Sequence, residues 1–520
     1  MSSTADEDEG RIAAVIFDMD GVVTDTADAH FAAWKDVFDA FLDERRAGPP
    51  FTRRDYLAHV DGVPRYDGVR RFLASREVEL PEGEGDDVGN DTVHGLGNLK
   101  NRKFGEWLEE HSAPVFDDAI EMIWGLKAAG VKVGIFSASR NAGRVLVSAG
   151  LGDTFDATVD GADAQALGLE PKPKPDQLIK TAERLGAKPA ETAVIEDAVS
   201  GVQAGAAGRF GLVIGVNRQQ DDPEKQRHAL RANGADLVTH NLQRLLLPEG
   251  GGLKTLDRLP LVWDRLDEFG GRVKDRPMTV FLDFDGTLSP IVEDYRKAAI
   301  PEETRDGIRR LSKRCPVAII SGRDLADVRE RVGIEDVIYA GSHGFDIAGP
   351  RGLKERPEAA EGLIDAIEAA DEALREAIGG IEGAKVERKT FSVAVHYREV
   401  AEQDVEALEK AVDQVVERHE KLRKGRGKKV IEIQPRVDWD KGRAAEWLLS
   451  HTALGESDAL PLYLGDDLTD EDAFAALGDR GICIAVRGGG RATLADYALA
   501  DPDDVRRFLG WLSDEAGATE

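Results

Sequence analysis

Cysteine is almost missing from this chain: Cys315 and Cys483 are the only two in 520 residues. That excludes a disulfide framework and a thiolate zinc site. No apolar run approaches the roughly 18 residues that a membrane span needs. The first ten residues, MSSTADEDEG, are acidic and polar, the opposite of a signal peptide, so the cytoplasm is the expected location. Cations are also short. The 68 Lys and Arg face 98 Asp and Glu, for a net charge of −30 and a pI near 4.8, which argues against a nucleic-acid or anionic-membrane partner. What remains is ample for folding: 42% of residues are hydrophobic and 32% charged, so a sizeable core forms.

The main organisational signal is an internal repeat. The apolar run IAAVIFDMDG ends in Asp18, Asp20 and Gly21, and MTVFLDFDG ends in Asp283, Asp285 and Gly286. Both read as buried strands tipped with carboxylates. Three further signals follow each in the same order. VKVGIFSAS ends at Ser137 and CPVAIISGR begins its polar end at Ser321. Lys172 then lies in EPKPKPD and Lys441 in VDWDKGRAA. Last come TAVIED, ending at Glu196 and Asp197, and PLYLGDD, ending at Asp466 and Asp467.

The spacings show what differs between the halves. Asp18, Ser137, Lys172 and Asp197 are separated by 119, 35 and 25 residues; Asp283, Ser321, Lys441 and Asp466 by 38, 120 and 25. Two copies of one core therefore each carry an insertion of similar size, after the first strand in one and after the second in the other. The first insertion, about 28–112, has helical periodicity (AHFAAWKDVFDAF, RRFLASR, NRKFGEWLEEH) and an exposed acidic loop, ELPEGEGDDVGND. The second, about 347–437, reads as a helix, an alternating strand KVERKTFSVAVHYR, another helix and a strand KKVIEIQP. The expected fold is α/β: two doubly wound parallel-sheet cores, the first with a helical cap and the second with an α+β cap. The expected division is 10–245, a linker at 246–275 in which LPEGGG gives flexibility, and 276–515.

Carboxylates at strand tips with further acids from a later strand make a small all-oxygen site, which points to Mg²⁺. A bound cation lets one carboxylate, Asp283, attack phosphorus despite like charge and become an aspartyl-phosphate. Asp285, two residues on, can protonate the leaving oxygen and later take a proton from water. Ser321 offers a hydroxyl to a phosphoryl oxygen, and Lys441 balances transition-state charge. Asp18, Asp20, Ser137 and Lys172 repeat the set in the first half.

This ordered pattern resembles the haloacid-dehalogenase superfamily of aspartate-nucleophile phosphotransferases. The resemblance implies that metal is held by the nucleophile, the backbone carbonyl of the second Asp and the acidic motif: Asp283, Asp285 and Asp466 in one half, Asp18, Asp20 and Asp197 in the other. The second half resembles the trehalose-6-phosphate phosphatases through DFDGTLSPI, SGR (Ser321, Gly322, Arg323), AGSHGFDI, VERKTFSVAVHYR, VIEIQPRVDWDKG and YLGDDLTDEDAF. That likeness implies hydrolysis of a sugar phosphate, with Gly322, Arg323 and His343 near the substrate and Glu387, Lys389 and Glu432 on the cap gripping glucose hydroxyls. Gln434 stands where that family often has arginine. The first half resembles the β-phosphoglucomutase group through DMDGVVTDTADAHFAAW and FSASRNA; the residues around Ser139, Arg140 and Asn141 would meet a second phosphate, with Arg65 or Arg70 as the cap's basic residue. Isomerase, phosphatase and a regulatory or docking module for a trehalose-phosphate synthase are all open for this half, and another disaccharide phosphate, such as sucrose phosphate, is open for the second.

Several of these residues have plainer readings. His30 beside Trp34 reads first as a packed residue at a cap hinge. His343 sits in a Gly-flanked turn, where bonding to the backbone competes with sugar contact. Glu387 and Lys389, two apart on an expected strand, share a face and could form a cross-strand ion pair. KLRKGRGKK, Lys421 to Lys429, has no interleaved aromatics and reads as a solvated loop. Cys315 and Cys483 adjoin apolar strands and read as buried.

Overall fold

A computed structural model describes residues 12–60, 63–219, 222–248, 251–292, 295–360, 362–427, 430–452 and 458–515; MSSTADEDEG and Lys428–Lys429 lie outside these. The chain divides into Met1–Leu253 and Lys254–Glu520. No helix of the described residues is long and apolar enough to cross a membrane.

In the first unit the strands are β1 (Ala14–Asp18), β2 (Lys132–Phe136), β3 (Ala157–Val159), β4 (Thr192–Glu196), β5 (Leu212–Val216) and β6 (Leu237–Thr239). They form one parallel sheet in the order β3-β2-β1-β4-β5-β6. β1 and β4 are buried along their length because helices cover both faces, which is why these runs are continuous rather than alternating. Register sets the chemistry: Asp18 lies opposite Phe136 and Phe17 opposite Ile195, so Asp18, Ser137 and Glu196–Asp197 emerge together at one sheet edge. Strand order reverses at β1, the position where open α/β sheets leave a crevice. The segment after β1 is helical as expected, with helices Ala27–Arg45, Arg53–His59, Arg65–Ser75 and Val93–Glu110 around Trp34, Phe38, Phe51 and Phe72.

In the second unit the strands are β7 (Met278–Leu282), β8 (Val317–Ile320), β9 (Ile338–Gly341), β10 (Asp346–Ala348), β11 (Lys354–Glu355), β12 (Lys385–Arg388), β13 (Val393–His396), β14 (Leu422–Gly427), β15 (Val430–Pro435), β16 (Leu460–Gly465), β17 (Ile482–Val486) and β18 (Tyr497–Leu499). The main sheet runs β11-β10-β9-β8-β7-β16-β17-β18, parallel except for the β10–β11 hairpin at one edge. The cap is an antiparallel sheet, β12-β13-β15-β14. One of its faces buries Val393, Val395, Ile431 and Ile433 under helices Leu363–Ile378 and Glu402–Glu417. By register the other face carries Glu387, Ala394, Glu432, Gln434, His396 and Arg423.

Three expectations change. The second cap does not enter after β8: β9 and the β10–β11 hairpin extend the core first, so residues 347–355 belong to the main sheet. KVERKTFSVAVHYR is two strands, because the chain turns at Lys389–Ser392, where the Lys389 N–H donates to the Ser392 carbonyl. KLRKGRG is strand β14, paired along β15, with Lys424 tied to Asp413 at 2.6 Å. The two lysines of the repeat lie near helix starts: Lys441 opens helix Lys441–His451, and Lys172 lies in the turn before helix Asp176–Leu185.

Residues 254–273 pack as part of the second unit. Thr255 bridges to Ala492 and Leu261 to Ala498, while Val262, Phe269 and Val273 enter its core. Phe269 is fully buried, with ring centroids of Tyr497, Phe508 and Trp511 at 5.5, 5.4 and 5.8 Å. Phe269→Ala is therefore expected to lower the stability of this unit by about 3–5 kcal/mol in urea unfolding followed by tryptophan fluorescence. An unchanged midpoint would mean that the segment is a free linker.

Candidate active sites

The second unit builds its site from strand β7 outward. Asp283 follows directly on β7, its N–H donating to the Leu464 carbonyl at 2.9 Å, and its side chain is buried. The chain then turns at Gly286, at φ 80°; a Cβ there would lie 2.0 Å from Oδ2 of Asp466, so only glycine lets the acidic loop approach. Gly21 repeats this in the first unit, at φ 85° and 2.1 Å from Oδ2 of Asp197.

Lys441 Nζ donates to Asp283 Oδ1 at 2.6 Å and to Asp470 Oδ1 at 2.7 Å, and all three side chains are buried. Asp470 also accepts the Tyr463 hydroxyl at 2.8 Å, and its Oδ2 accepts the N–H groups of Asp466 and Asp467 at 3.1 and 3.0 Å. Asp283, Asp466 and Asp470 can bring one oxygen each within 4.8 Å of one another. Three carboxylates thus share one ammonium in a desolvated pocket. Burial raises the Asp283 carboxyl well above its ordinary range, with Asp470 and Asp466 adding to the rise against Lys441. Burial, then Asp470, pushes Asp466 up to about 7. Lys441 stays cationic: burial opposes its charge, but Asp283 and Asp470 outweigh it. An all-oxygen set with uncompensated negative charge fits a hard divalent cation.

The first unit repeats the arrangement with one change. Lys172 Nζ meets Asp18 Oδ1 at 2.6 Å and Glu196 at 3.0 and 3.1 Å, and Asp18, Glu196 and Asp197 form the second carboxylate cluster. Burial, with Asp18 adding to it, pushes Asp197 up to about 7. The lysine's second partner is Glu196, just before Asp197, whereas in the second unit it is Asp470, one helical turn after Asp466. Neither role was expected from the motif order. The available signal was an extra acid beside each motif, in VIED and in GDDLTD.

Ser321 and Ser137 are both buried at strand ends. Each hydroxyl accepts a backbone N–H two residues on, from Arg323 at 3.1 Å and Ser139 at 3.0 Å. The side chain of Asp285 accepts from Arg323, which donates to both its oxygens at 2.7 Å. Arg323, which the resemblance places near the substrate, has its guanidinium on Asp285 and Asp327. In the first unit Asp20 accepts the hydroxyls of Thr26 and Thr24 and is pushed up to about 6, chiefly by burial.

On the cap face above the second site, Lys389 pairs with Glu432 at 3.2 Å, and Glu432 also accepts Ser392 Oγ at 3.2 Å and Gln434 Nε2 at 2.8 Å. Burial works against both charges, but each partner outweighs it, so Lys389 is held above and Glu432 below its ordinary range. Glu387 does not pair with Lys389; His396 Nε2 lies 2.8 Å from its Oε2. His343 sits at φ 58°, its ring 2.8 Å from where a Cβ on Gly322 would be. Burial first, with Lys441 and Lys389 adding to it, lowers His343 to about 4. In the first unit His30 stacks on Phe104 at 4.1 Å and meets Lys100 Nζ at 2.6 Å. Lys100 is buried over the Phe104 and Trp34 rings, and burial followed by Arg65 lowers it to about 7. Arg65 is half-buried among Asn98 and Asn101, close enough to feel Arg140, whereas Arg70 spends its charge on exposed Asp67 and Glu82.

Comparison with known proteins agrees with the two-core reading. A trehalose-phosphatase family model matches residues 281–503, and a haloacid dehalogenase-like hydrolase model matches 12–209. The trehalose-phosphate phosphatase of Mycobacterium leprae is 36% identical over 434 residues, covering 79% of this chain and 98% of that one. An uncharacterized glycosyl hydrolase of Mycobacterium tuberculosis is 40% identical over 511 residues, covering 96% of this chain. The chain spans only 38% of the length of that relative. The C-terminal domain of trehalose-6-phosphate phosphatase from C. albicans is a structural neighbour at 26% identity and TM-score 0.43, covering 49% of this chain and 98% of that one.

Folded-state carboxyls raised to about 7 stabilise the metal-free chain while protonated, so this contribution fades as pH rises from 3.8 toward 7. A divalent cation must displace those protons below about 7, so the thermal shift produced by MgCl₂ is expected to be larger at pH 8 than at pH 5.5. Asp466→Asn combined with Asp197→Asn should abolish the shift. An equal shift at both pH values would mean that these carboxylates do not hold the ion.

Proposed function

The chain belongs to the trehalose-phosphate phosphatase family, and from that premise we propose that its second unit hydrolyses trehalose 6-phosphate to trehalose and phosphate through a phosphoryl group carried on Asp283. The observation that carries this reading is one arrangement. Asp283 is fixed by Lys441 at the tip of β7, next to Asp466, beneath a cap face bearing Glu387, Lys389, Glu432 and Gln434.

Each group has a task that its surroundings suit. Lys441 aims Asp283 and places positive charge where the phosphoryl oxygens gather. The Ser321 hydroxyl, buried at the end of β8, can rotate to donate to one of those oxygens. Asp285 gives a proton to the departing sugar oxygen as the P–O bond breaks, then takes one from the water that attacks the phospho-aspartate. Asp283, Asp466 and the Asp285 carbonyl would hold Mg²⁺. When bound, the ion neutralises the carboxylates and phosphate so that anionic Asp283 can approach phosphorus. Glu432 and Lys389, half-buried and already paired, offer a charged acceptor and a charged donor to sugar hydroxyls, and a site built that way rejects analogues lacking them. The Thr390 N–H donates to Asp324 at 3.1 Å, which ties the cap turn to the core and supports exclusion of water during reaction.

The first unit has its own complete set, and a specific observation favours a second phosphotransfer there. Arg65 and Arg140 add cations beyond the one at Asp18, Lys100 adds a buried amine lowered to about 7, and Asp20 is pushed up to about 6 beside hydroxyl partners. That suits a substrate carrying a second anionic group, as an isomerase of the β-phosphoglucomutase kind handles.

Asp283→Asn is expected to lower trehalose 6-phosphate turnover by on the order of 10⁴-fold or more in a chain that still folds, as circular dichroism would show; substantial remaining activity would remove Asp283 as the nucleophile. Glu432→Gln is expected to raise KM for the sugar phosphate about 10–100-fold and to leave 4-nitrophenyl phosphate nearly unaffected. Equal losses on both substrates would mean that the cap does not read sugar. Asp18→Asn should leave trehalose 6-phosphate turnover unchanged, since each unit has its own lysine–carboxylate site.

A further inference from the structure

Arg323 is 8% exposed and is fixed at both ends. Its N–H donates to Ser321 Oγ at 3.1 Å, and its carbonyl accepts the Ser342 N–H at 2.7 Å. Its guanidinium lies over Phe284, 5.2 Å from the ring centroid. Nε and Nη2 each donate to one oxygen of Asp285 at 2.7 Å, while Nη1 donates to Asp327 at 2.8 Å. Asp327 is held in turn by Arg331 at 2.8 Å, and Arg331 donates to the Ala298 carbonyl at 2.6 Å and to the Arg296 carbonyl at 3.0 Å. A chain of alternating charge therefore runs from helix Leu325–Val332 to the second aspartate of the DFDG turn.

The need for such a chain follows from where Asp285 sits. Its side chain is 44% exposed, so burial does not restrict its rotation. In the first unit the equivalent Asp20 is only part-exposed and is held by two threonine hydroxyls. A planar fork with two parallel bonds fixes both the position and the plane of a carboxylate, which a single ammonium does not.

We propose that Arg323 is a positioning residue that sets Asp285 for proton transfer, and not a contact to the sugar. This rests on the reading of the second unit as a phosphomonoesterase with Asp285 as its acid and base. In the first step the Asp283–phosphorus bond forms, the phosphorus–oxygen bond to the leaving group breaks, and the Asp285 proton goes to the departing oxygen. In the second, water attacks phosphorus, its proton passes to Asp285, and the bond to Asp283 breaks. A poor leaving group needs that first proton, and a stable phenolate does not. Misplacing Asp285 must therefore cost more as the leaving group becomes more basic.

The test is kcat/KM of the full chain with MgCl₂ on aryl phosphates ranging from dinitrophenyl to phenyl phosphate, which contain no sugar. Arg323→Met should lose less than about threefold on dinitrophenyl phosphate and about 30–100-fold on phenyl phosphate, steepening the dependence on leaving-group basicity. Arg323→Lys, which keeps the charge but not the fork, should fall between. Asp327→Asn removes only the second anchor and should steepen the same plot less; it carries the test if Arg323→Met does not fold. A uniform fall across the series would make Arg323 merely structural. An unchanged series with a loss confined to trehalose 6-phosphate would make it a sugar contact. Either result overturns the proposal. Failure of the underlying reading is separate: it would show as Asp283→Asn retaining aryl phosphate hydrolysis.

Discussion

A lysine ammonium buried between two carboxylates sets the geometry of each unit. Lys441 joins Asp283 to Asp470, and Lys172 joins Asp18 to Glu196, with the oxygen of Asp283 or Asp18 at 2.6 Å. Breaking such a pair leaves an uncompensated charge in a desolvated pocket, so the strand-tip aspartate, the lysine and the acidic loop are fixed together. The pair also leaves a residue of negative charge on Asp466 or Asp197, and that excess calls for a cation. Sheet register, the glycine turns at Gly21 and Gly286, and the helix opening at Lys441 all serve to bring these charges within bonding distance.

The two units solve one problem with different sets of acids. In the first, the lysine's second partner is the residue before Asp197; in the second, it comes from the helix after Asp466. The second aspartate of the opening motif differs more. Asp20 is held by hydroxyls in a protected place, and Asp285 by a guanidinium in an open one. The caps differ in kind as well. An aromatic helical cluster around Phe38 and Phe72 contrasts with a sheet whose polar face shows paired charges to the site below.

Much of this was legible in the sequence, because strands of a parallel sheet end in register. Once Asp18, Ser137 and Asp197 are read as strand ends, their meeting follows, and the same holds for Asp283, Ser321 and Asp466. What was hidden depends on contacts that no period encodes. The role of Asp470 exists only because one helical turn returns it to Lys441. Arg323 reads as a substrate residue in the string SGR, and nothing in that string shows that its side chain bonds Asp285. The turn at Lys389–Ser392 is masked because it holds neither glycine nor proline, and only the polar run Glu387–Thr390 interrupts the alternation there. β14 is masked by its charge, and it is a strand because β15 pairs along its whole length. Nothing in LPEGGG signals that the segment after it packs, through Phe269, into the second core.

The central claim is that a carboxylate of this chain becomes esterified by the sugar's phosphoryl group. The most direct measurement is rapid acid quench of the full chain mixed with trehalose 6-phosphate and MgCl₂, followed by mass mapping of the peptides. The account predicts a transient phosphoryl group on Asp283 that decays as phosphate appears. Phosphate released at full rate with Asp283 never modified, or the group found on another side chain of that unit, would contradict it.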